Sequence, residues 1–364
     1  MFVLAGLGAG GAERVVSLLS GEMIERGHDV SVVAFDGPKD PIYHSFQSQV
    51  EIVRLSIPAG GKSFLRGIEA SVRRVTELRR LFKRSAPDVV ISFLTKVNVI
   101  SVLASTGLHI PVIISERNNP AAQRAHPFWA FAWKIAARRA SAIVLQTEAI
   151  RVLYPQSIQL RAVVIPNPVL PPIVNREPHD GLMLTAVGRL EWQKGFDTLI
   201  KAFAAIAEDF PDWKLVIWGD GPERSRLQWF AEQSGRPGQI ELAGKSQSPG
   251  DWIKNADLFV LSSRYEGFPN VLVEAMAAGI PALSFRCNFG PEEIIDDGND
   301  GVLVEAENIV MLTAELRSLM QNEQFRQRVG AAAAASMARY GVSEVVSKWE
   351  ALLKKRFTPT ENSD

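Results

Sequence analysis

Short runs of continuous apolar residues alternate along this chain with longer stretches in which apolar residues return every three or four positions. The runs Phe2–Leu7, Asp29–Phe35, Asp88–Phe93, Val112–Ser115, Ala142–Leu145 and Ala162–Ile165 predict strands; the stretches near Ala12–Arg26 and Leu65–Ser85 predict helices. Brief, β-branched, uniformly apolar strands separated by helices indicate a parallel sheet covered on both faces. A Rossmann-like domain over residues 1–168 follows. Pro166-Asn-Pro-Val-Leu-Pro-Pro172 cannot continue a helix and reads as a linker. The alternation then resumes: strands at Leu182–Val187, Lys214–Trp218, Ile240–Leu242, Leu258–Ser262, Ala282–Ser284 and Val302–Val304, with helices near Phe196–Glu208, Glu223–Ser234, Val271–Ala278 and Gln324–Tyr340. That predicts a second doubly wound domain over 169–340. Residues 341–364 carry a last amphipathic helix, Ser343–Phe357.

The 364 residues are enough for two such domains, and 46% hydrophobic with 22% charged residues fits a globular protein. A single cysteine, Cys287, excludes an internal disulfide and fits a reducing compartment. Met1 leads into Phe-Val-Leu-Ala-Gly-Leu without a basic segment, so no secretory signal is expected. Val97–Ser115 lacks Asp, Glu, Lys and Arg, but Asn98, Gly107, His109 and Pro111 break it into helix, turn and strand rather than a membrane span. The formal net charge of zero hides an asymmetry: residues 1–166 hold 20 basic and 12 acidic residues, the remainder 20 and 28. Halves of opposite sign point to different partners.

The stretch Glu266-Gly-Phe-Pro-Asn-Val-Leu-Val-Glu274 follows a strand, turns at Gly267-Phe268-Pro269, and enters a helix that stops at Gly279. Free N–H groups near Asn270 and Val271 suit a phosphate, Glu266 has acceptors for sugar hydroxyls, and Glu274 could take a ribose diol. The stretch resembles the signature of the retaining glycosyltransferases of family 4, which have the GT-B architecture. The resemblance implies an α/β protein with two Rossmann-like doubly wound domains facing across a cleft, the terminal helix returning to the first. It also implies that Glu266 contacts the transferred sugar and Glu274 the ribose.

Gly188-Arg-Leu-Glu-Trp-Gln-Lys194-Gly195 follows the first strand of the second domain, where open α/β sheets bind ligands. Arg189 and Lys194 can neutralise adjacent phosphates, and both match the family's Gly-Arg-Leu-x3-Lys-Gly motif. Gly8-Ala-Gly-Gly-Ala-Glu-Arg14 opens the first helix. It lacks the acidic partner of a dinucleotide fingerprint and is similar to the family loop facing the donor diphosphate, which points to Gly10 and Gly11. Gly219–Arg224 and Asn288–Glu293 have family likeness too, with Glu292 balanced between sugar contact and surface charge. Ser115-Glu-Arg-Asn-Asn-Pro120 stands where family members often carry a His; here Glu116 or Arg117 occupies that place and contacts donor sugar or acceptor, or forms a local ion pair. No Asp-x-Asp pair occurs, so no required metal is expected.

Lys62 to Arg84 forms a basic amphipathic helix, with Arg66, Arg73, Arg74 and Arg80 among its cations. Arg124–Arg139 mixes Trp129 and Trp133 with cations such as Arg138. Together they predict a surface that meets an anionic membrane or a polyprenyl diphosphate rather than nucleic acid. The resulting expectation is a cytoplasmic hexosyltransferase, peripherally attached to the inner face of the plasma membrane. It would move a hexose or N-acetylhexosamine from a UDP-sugar, preferably UDP-GalNAc or UDP-galactose, to a lipid-linked glycan without cofactor. A GT-B epimerase, a phosphorylase and a silent nucleotide-sugar-binding protein are the alternatives.

Overall fold

A computed structural model describes residues 1–8, 10–57, 64–117, 126–170, 182–234, 238–246, 248 and 250–357. The chain divides into two compact units, Met1–Pro168 with Val342–Asp364, and Val169–Gly341.

In the first unit the strands are β1 (Phe2–Leu4), β2 (Ser31–Ala34), β3 (Glu51–Arg54), β4 (Val90–Phe93), β5 (Val112–Ser115), β6 (Ala142–Leu145) and β7 (Ala162–Val164). They form one parallel sheet in the order β3-β2-β1-β4-β5-β6-β7. The helices between them are α1 (Gly11–Glu25), α2 (Phe64–Ser85), α3 (Thr95–Ser105), α4 (Pro127–Arg139), α5 (Glu148–Arg151) and α6 (Gln156–Gln159). Strands β4, β5 and β6 are buried along their whole length, which is why only apolar and small residues occupy them. The edge strand β3 has no counterpart in the apolar pattern: Glu51 is exposed and Ile52, Val53 and Arg54 are half-buried, so no apolar run marks it.

The second unit has β8 (Leu182–Val187), β9 (Trp213–Trp218), β10 (Ile240–Gly244), β11 (Leu258–Leu261), β12 (Ala282–Arg286) and β13 (Val302–Glu305) in one parallel sheet ordered β10-β9-β8-β11-β12-β13. Its helices are α7 (Phe196–Ala204), α8 (Arg224–Glu232), α9 (Asn270–Ala277), α10 (Pro291–Ile294), α11 (Ile309–Gln321) and α12 (Glu323–Ser336). The order reverses direction at β8 and β11, so the loops after these two adjacent strands leave the sheet side by side.

The chain then returns to the first unit as α13 (Val342–Phe357), which packs on α1. Val345, Val346, Trp349 and Leu352 enter the same apolar core as Phe2, Leu4, Val16, Leu19 and Phe93. Polar contacts reinforce the seam: Arg26 bonds Glu350 Oε2 at 2.9 Å and Ser343 Oγ at 2.7 Å, and His28 Nε2 lies 2.9 Å from Glu350 Oε1. These charged pairs stay partly solvated and contribute little beside the apolar burial.

Candidate functional site

The loop after β8 runs Gly188-Arg-Leu-Glu, makes one 3-10 turn at Trp192–Lys194, and passes through Gly195 into α7. Gly195 has φ +61°, and a Cβ there would collide with the Ser262 carbonyl oxygen just beyond β11, so only glycine lets the two loops meet. Four contacts stitch them together. Ser262 Oγ donates to the Lys194 carbonyl at 2.9 Å, and the Arg264 N–H donates to the Gln193 carbonyl at 2.8 Å. Gln193 Nε2 donates to the Tyr265 carbonyl at 3.0 Å, and Arg264 Nη1 to the Trp192 carbonyl at 2.5 Å.

The stitched loops deliver Lys194 Nζ to 2.7 Å from Glu266 Oε1, with side-chain exposures of 17% and 7%. Ser263 Oγ donates to the same oxygen at 2.6 Å. The stem of Lys194 passes over Gly188, where an added Cβ would come within 3.1 Å of it. Glu266 is also anchored through its backbone, its N–H donating to the Asn288 carbonyl at 3.3 Å. Charges taken this far from water need their partner and the extra hydrogen bond to offset the lost solvation. Neighbouring Cys287 is a buried free thiol; burial first, and then the Glu266 charge, push it up to about 12, so it is protonated and no nucleophile at neutral pH.

The other residues read from the motifs are distributed around this pair. Gly267 and Phe268 form the turn into α9, with Phe268 buried and its ring 5.7 Å from that of Tyr340. Asn270 and Val271 begin α9 after Pro269, but the Asn270 N–H, expected to be free for a phosphate, donates to the Phe268 carbonyl at 3.0 Å because the turn closes on itself there. Glu274 lies one turn further on and is buried. Arg189 turns to Glu191, Nη1 to Oε1 3.0 Å, and is 71% exposed. Glu292 sits in an exposed ion pair with Arg286 at 3.1 Å. The sequence reading passed over Ser262, Ser263 and Arg264. Arg264 organises the loop from below, pairing with Asp197 at 3.0 Å and Glu307 at 2.7 Å while its guanidinium lies 4.6 Å from the Trp192 ring centre. The signal was three polar residues directly after a buried strand.

In the first unit Gly10 precedes α1 and Gly11 begins it, and the Glu13 carboxylate folds back over Gly10. Burial raises that acid above the ordinary range, its own backbone N–H opposes the rise, and Asp36 adds to it. The helix end proposed for a phosphate is therefore already faced by a carboxylate. Glu116 is buried at the end of β5, its oxygens receiving the Thr95 hydroxyl at 3.0 and 3.1 Å. Arg117 follows it, Nε donating to Ser115 Oγ at 2.9 Å.

On α2, Arg66, Arg73 and Arg80 are exposed beside Ile68 and Val72. Arg74 instead turns inward, donating to the Ile57 carbonyl at 2.9 Å and stacking 4.8 Å from the Phe35 ring centre. Lys62 lies outside the described residues. On α4 the aromatics divide differently from the sequence expectation. Trp133 is buried, its ring 5.2 Å from that of Tyr154, and so is not a surface residue. Trp129 is half-buried under Lys96, 5.7 Å above its ring centre. Phe128 and Phe131 face out instead, 57% and 66% exposed, with Arg138 exposed on the same helix. Among the described residues no helix is long and apolar enough to cross a membrane.

Residues 172–336 match the family model described as Glycosyl transferases group 1, and residues 10–168 match the Glycosyl transferase 4-like domain. The chain belongs to this glycosyltransferase family. Lys194, Glu266 and Glu274 fall in the first of these regions, Glu116 and Arg117 in the second. A family relative from Campylobacter jejuni is the GalNAc-alpha-(1->4)-GalNAc-alpha-(1->3)-diNAcBac-PP-undecaprenol alpha-1,4-N-acetyl-D-galactosaminyltransferase. It is 25% identical over 358 residues, which is 97% of either chain. The amylovoran biosynthesis glycosyltransferase AmsD of Erwinia amylovora is 34% identical over 168 residues, 46% of this chain and 47% of that one. Among solved structures, Anabaena Alr3699/HepE in complex with UDP and glucose is similar with a TM-score of 0.78 at 18% identity, covering 97% of this chain and 98% of that one. The fold of the family member described here is GT-B, two parallel-sheet α/β units.

Proposed function

We propose that this glycosyltransferase moves a hexose or N-acetylhexosamine from a UDP-sugar to a polyprenyl-diphosphate-linked glycan during assembly of a bacterial surface polysaccharide. The observation that carries the reading is the largely buried Lys194–Glu266 pair at the carboxyl ends of β8 and β11. It offers a cation for phosphate and a carboxylate for hydroxyls within one ligand's reach. The Campylobacter relative acts on a PP-undecaprenol-linked GalNAc glycan, and the Anabaena protein binds UDP and glucose, which support acceptor and donor class respectively.

In this reading Lys194 and Arg189 hold the departing diphosphate and stabilise its charge as the glycosidic bond breaks. Val271 offers a backbone N–H group at the start of α9, whereas the Asn270 N–H is turned to the Phe268 carbonyl. Glu266 orients the sugar, Glu274 takes the ribose diol, and the diphosphate oxygen receives the acceptor proton on the same face, so the anomeric configuration is retained. Side-chain cations match the charge, and the reading includes no metal. Incubating the protein with a panel of UDP-sugars and lipid-linked acceptors in liposomes should release UDP with one donor, UDP-GalNAc or UDP-galactose first, and yield a retained linkage by NMR. Absence of acceptor-dependent UDP release across the panel would refute it.

The acceptor's lipid brings the protein to the inner face of the plasma membrane, where the exposed arginines of α2 meet anionic headgroups and Phe128 and Phe131 enter the interfacial zone. Liposomes containing anionic lipid should carry the protein up in a flotation gradient. A Phe128→Ser/Phe131→Ser variant should float at least severalfold less, at about 1 kcal/mol or more per buried ring, while still binding UDP. Equal flotation of both proteins would remove this surface from the membrane.

A further inference from the structure

Arg117 stands just past the end of β5, with the stem of its side chain partly exposed and its head enclosed. Nε donates to Ser115 Oγ at 2.9 Å and the guanidinium lies 5.0 Å from the Phe93 ring centre. These contacts fix the plane of the fork. Nη1 and Nη2 are nonetheless sealed from solvent without a hydrogen-bond partner among the described residues. Burial pushes the group down to about 9, with Glu116 opposing the fall, so it remains a cation at neutral pH. A buried cation whose outer donors meet nothing is among the costliest arrangements in a protein interior and calls for a ligand.

A second such atom belongs to a residue at the matching register of the next strand. Ser115 pairs with Val144 across β5 and β6, so Arg117 and Gln146 each lie two residues beyond a paired position, on neighbouring strands. The Gln146 Oε1 is buried and has no hydrogen-bond partner among the described residues either. A donor fork and an acceptor thus share the carboxyl edge of the sheet, where open parallel sheets receive ligands. A neutral sugar would answer the hydrogen bonds and add nothing to the partial compensation that Glu116 gives the charge. A phosphate or carboxylate answers both, and its paired oxygens fit the two terminal nitrogens.

We propose that Arg117 is the anion receptor of the first unit, gripping an oxyanion of the acceptor while Gln146 accepts from a hydroxyl next to it. The inference rests on the acceptor reading above and adds what the acceptor must carry: a prenyl diphosphate or a glycan carboxylate. Calorimetric titration of the full chain would use geranyl diphosphate against geraniol for the first source, and methyl glucuronide against methyl glucoside for the second. Wild type should prefer one charged probe over its neutral counterpart by on the order of ten- to a hundredfold. Arg117→Gln should erase that preference and Arg117→Lys keep part of it, with UDP affinity unchanged in both. Because the substitution removes a buried charge that Glu116 offsets only in part, Arg117→Gln should melt no lower than wild type, whereas a purely structural arginine would lower the melting temperature. The proposal is overturned if wild type prefers neither charged probe, if Arg117→Gln retains the preference or melts lower, or if the loss falls on UDP. Acceptor-dependent UDP release that persists without any anion preference would sink this inference alone.

Discussion

Glu266→Gln should lower the turnover number for sugar transfer on the order of 10²–10³-fold, the range found when a preorganised polar group at a reacting centre is removed. The variant keeps shape and loses charge at the point where Lys194 Nζ approaches at 2.7 Å and Ser263 Oγ at 2.6 Å. Losing one member of a buried pair leaves the other uncompensated, which costs about 3–5 kcal/mol in a closed interior and less here, where Lys194 keeps some contact with solvent. Lys194→Met should show the reverse imbalance. The two changes combined remove both charges, so the double variant should regain thermal stability over either single one while its turnover stays low. That divergence separates the pair's structural contribution from its part in the reaction. Near wild-type turnover for Glu266→Gln, measured with the accepted donor, would contradict the assignment.

Trp349→Ala should destabilise the first unit by about 3–5 kcal/mol, the usual range for emptying a large aromatic site in a core. Trp349 is 0% exposed, and its ring lies 6.5 Å from that of Phe93, which is 6.1 Å from that of Phe2 on β1. The site is closed by α1 and the sheet, so the cavity cannot be filled by a shift of one helix alone. Its indole N–H is sealed from solvent and has no hydrogen-bond partner among the described residues. Trp349→Phe therefore gives up some contact area but removes an unsatisfied donor, and should cost clearly less than alanine. Denaturant unfolding followed by circular dichroism measures both. Equal losses for Phe and Ala would mean that ring packing contributes nothing.

How far the sequence carries this picture depends on how many neighbours a residue needs to reveal its role. Val112–Ser115 and Ala142–Leu145 coincide with β5 and β6 because a strand buried on both faces must be apolar or small throughout. β3 escapes the same logic, since an edge strand keeps part of its surface wet. Lys194 and Glu266 were legible from motif spacing, but their direct contact was not: it depends on Gly195 admitting the Ser262 carbonyl from another loop. Ser263 and Arg264 show in the sequence only as polar residues after a buried strand, because their partners are brought by the tertiary fold. On α4 the error concerned which aromatics face inward. Trp133, Ala136 and Ala137 lie on the buried stripe, and a helical wheel drawn through them turns Phe128 and Phe131 outward.

The return of α13 to the first unit sets an order of events during synthesis. Chains emerge from the ribosome amino end first, and units fold as their residues become available. Val169–Gly341 is continuous and can close its core while Trp349 is still to be made. The earlier-made lobe must wait with an open groove along α1 until its last helix arrives. The portion translated first is thus completed last, and its unfinished apolar groove is the surface most in need of shielding in the nascent protein.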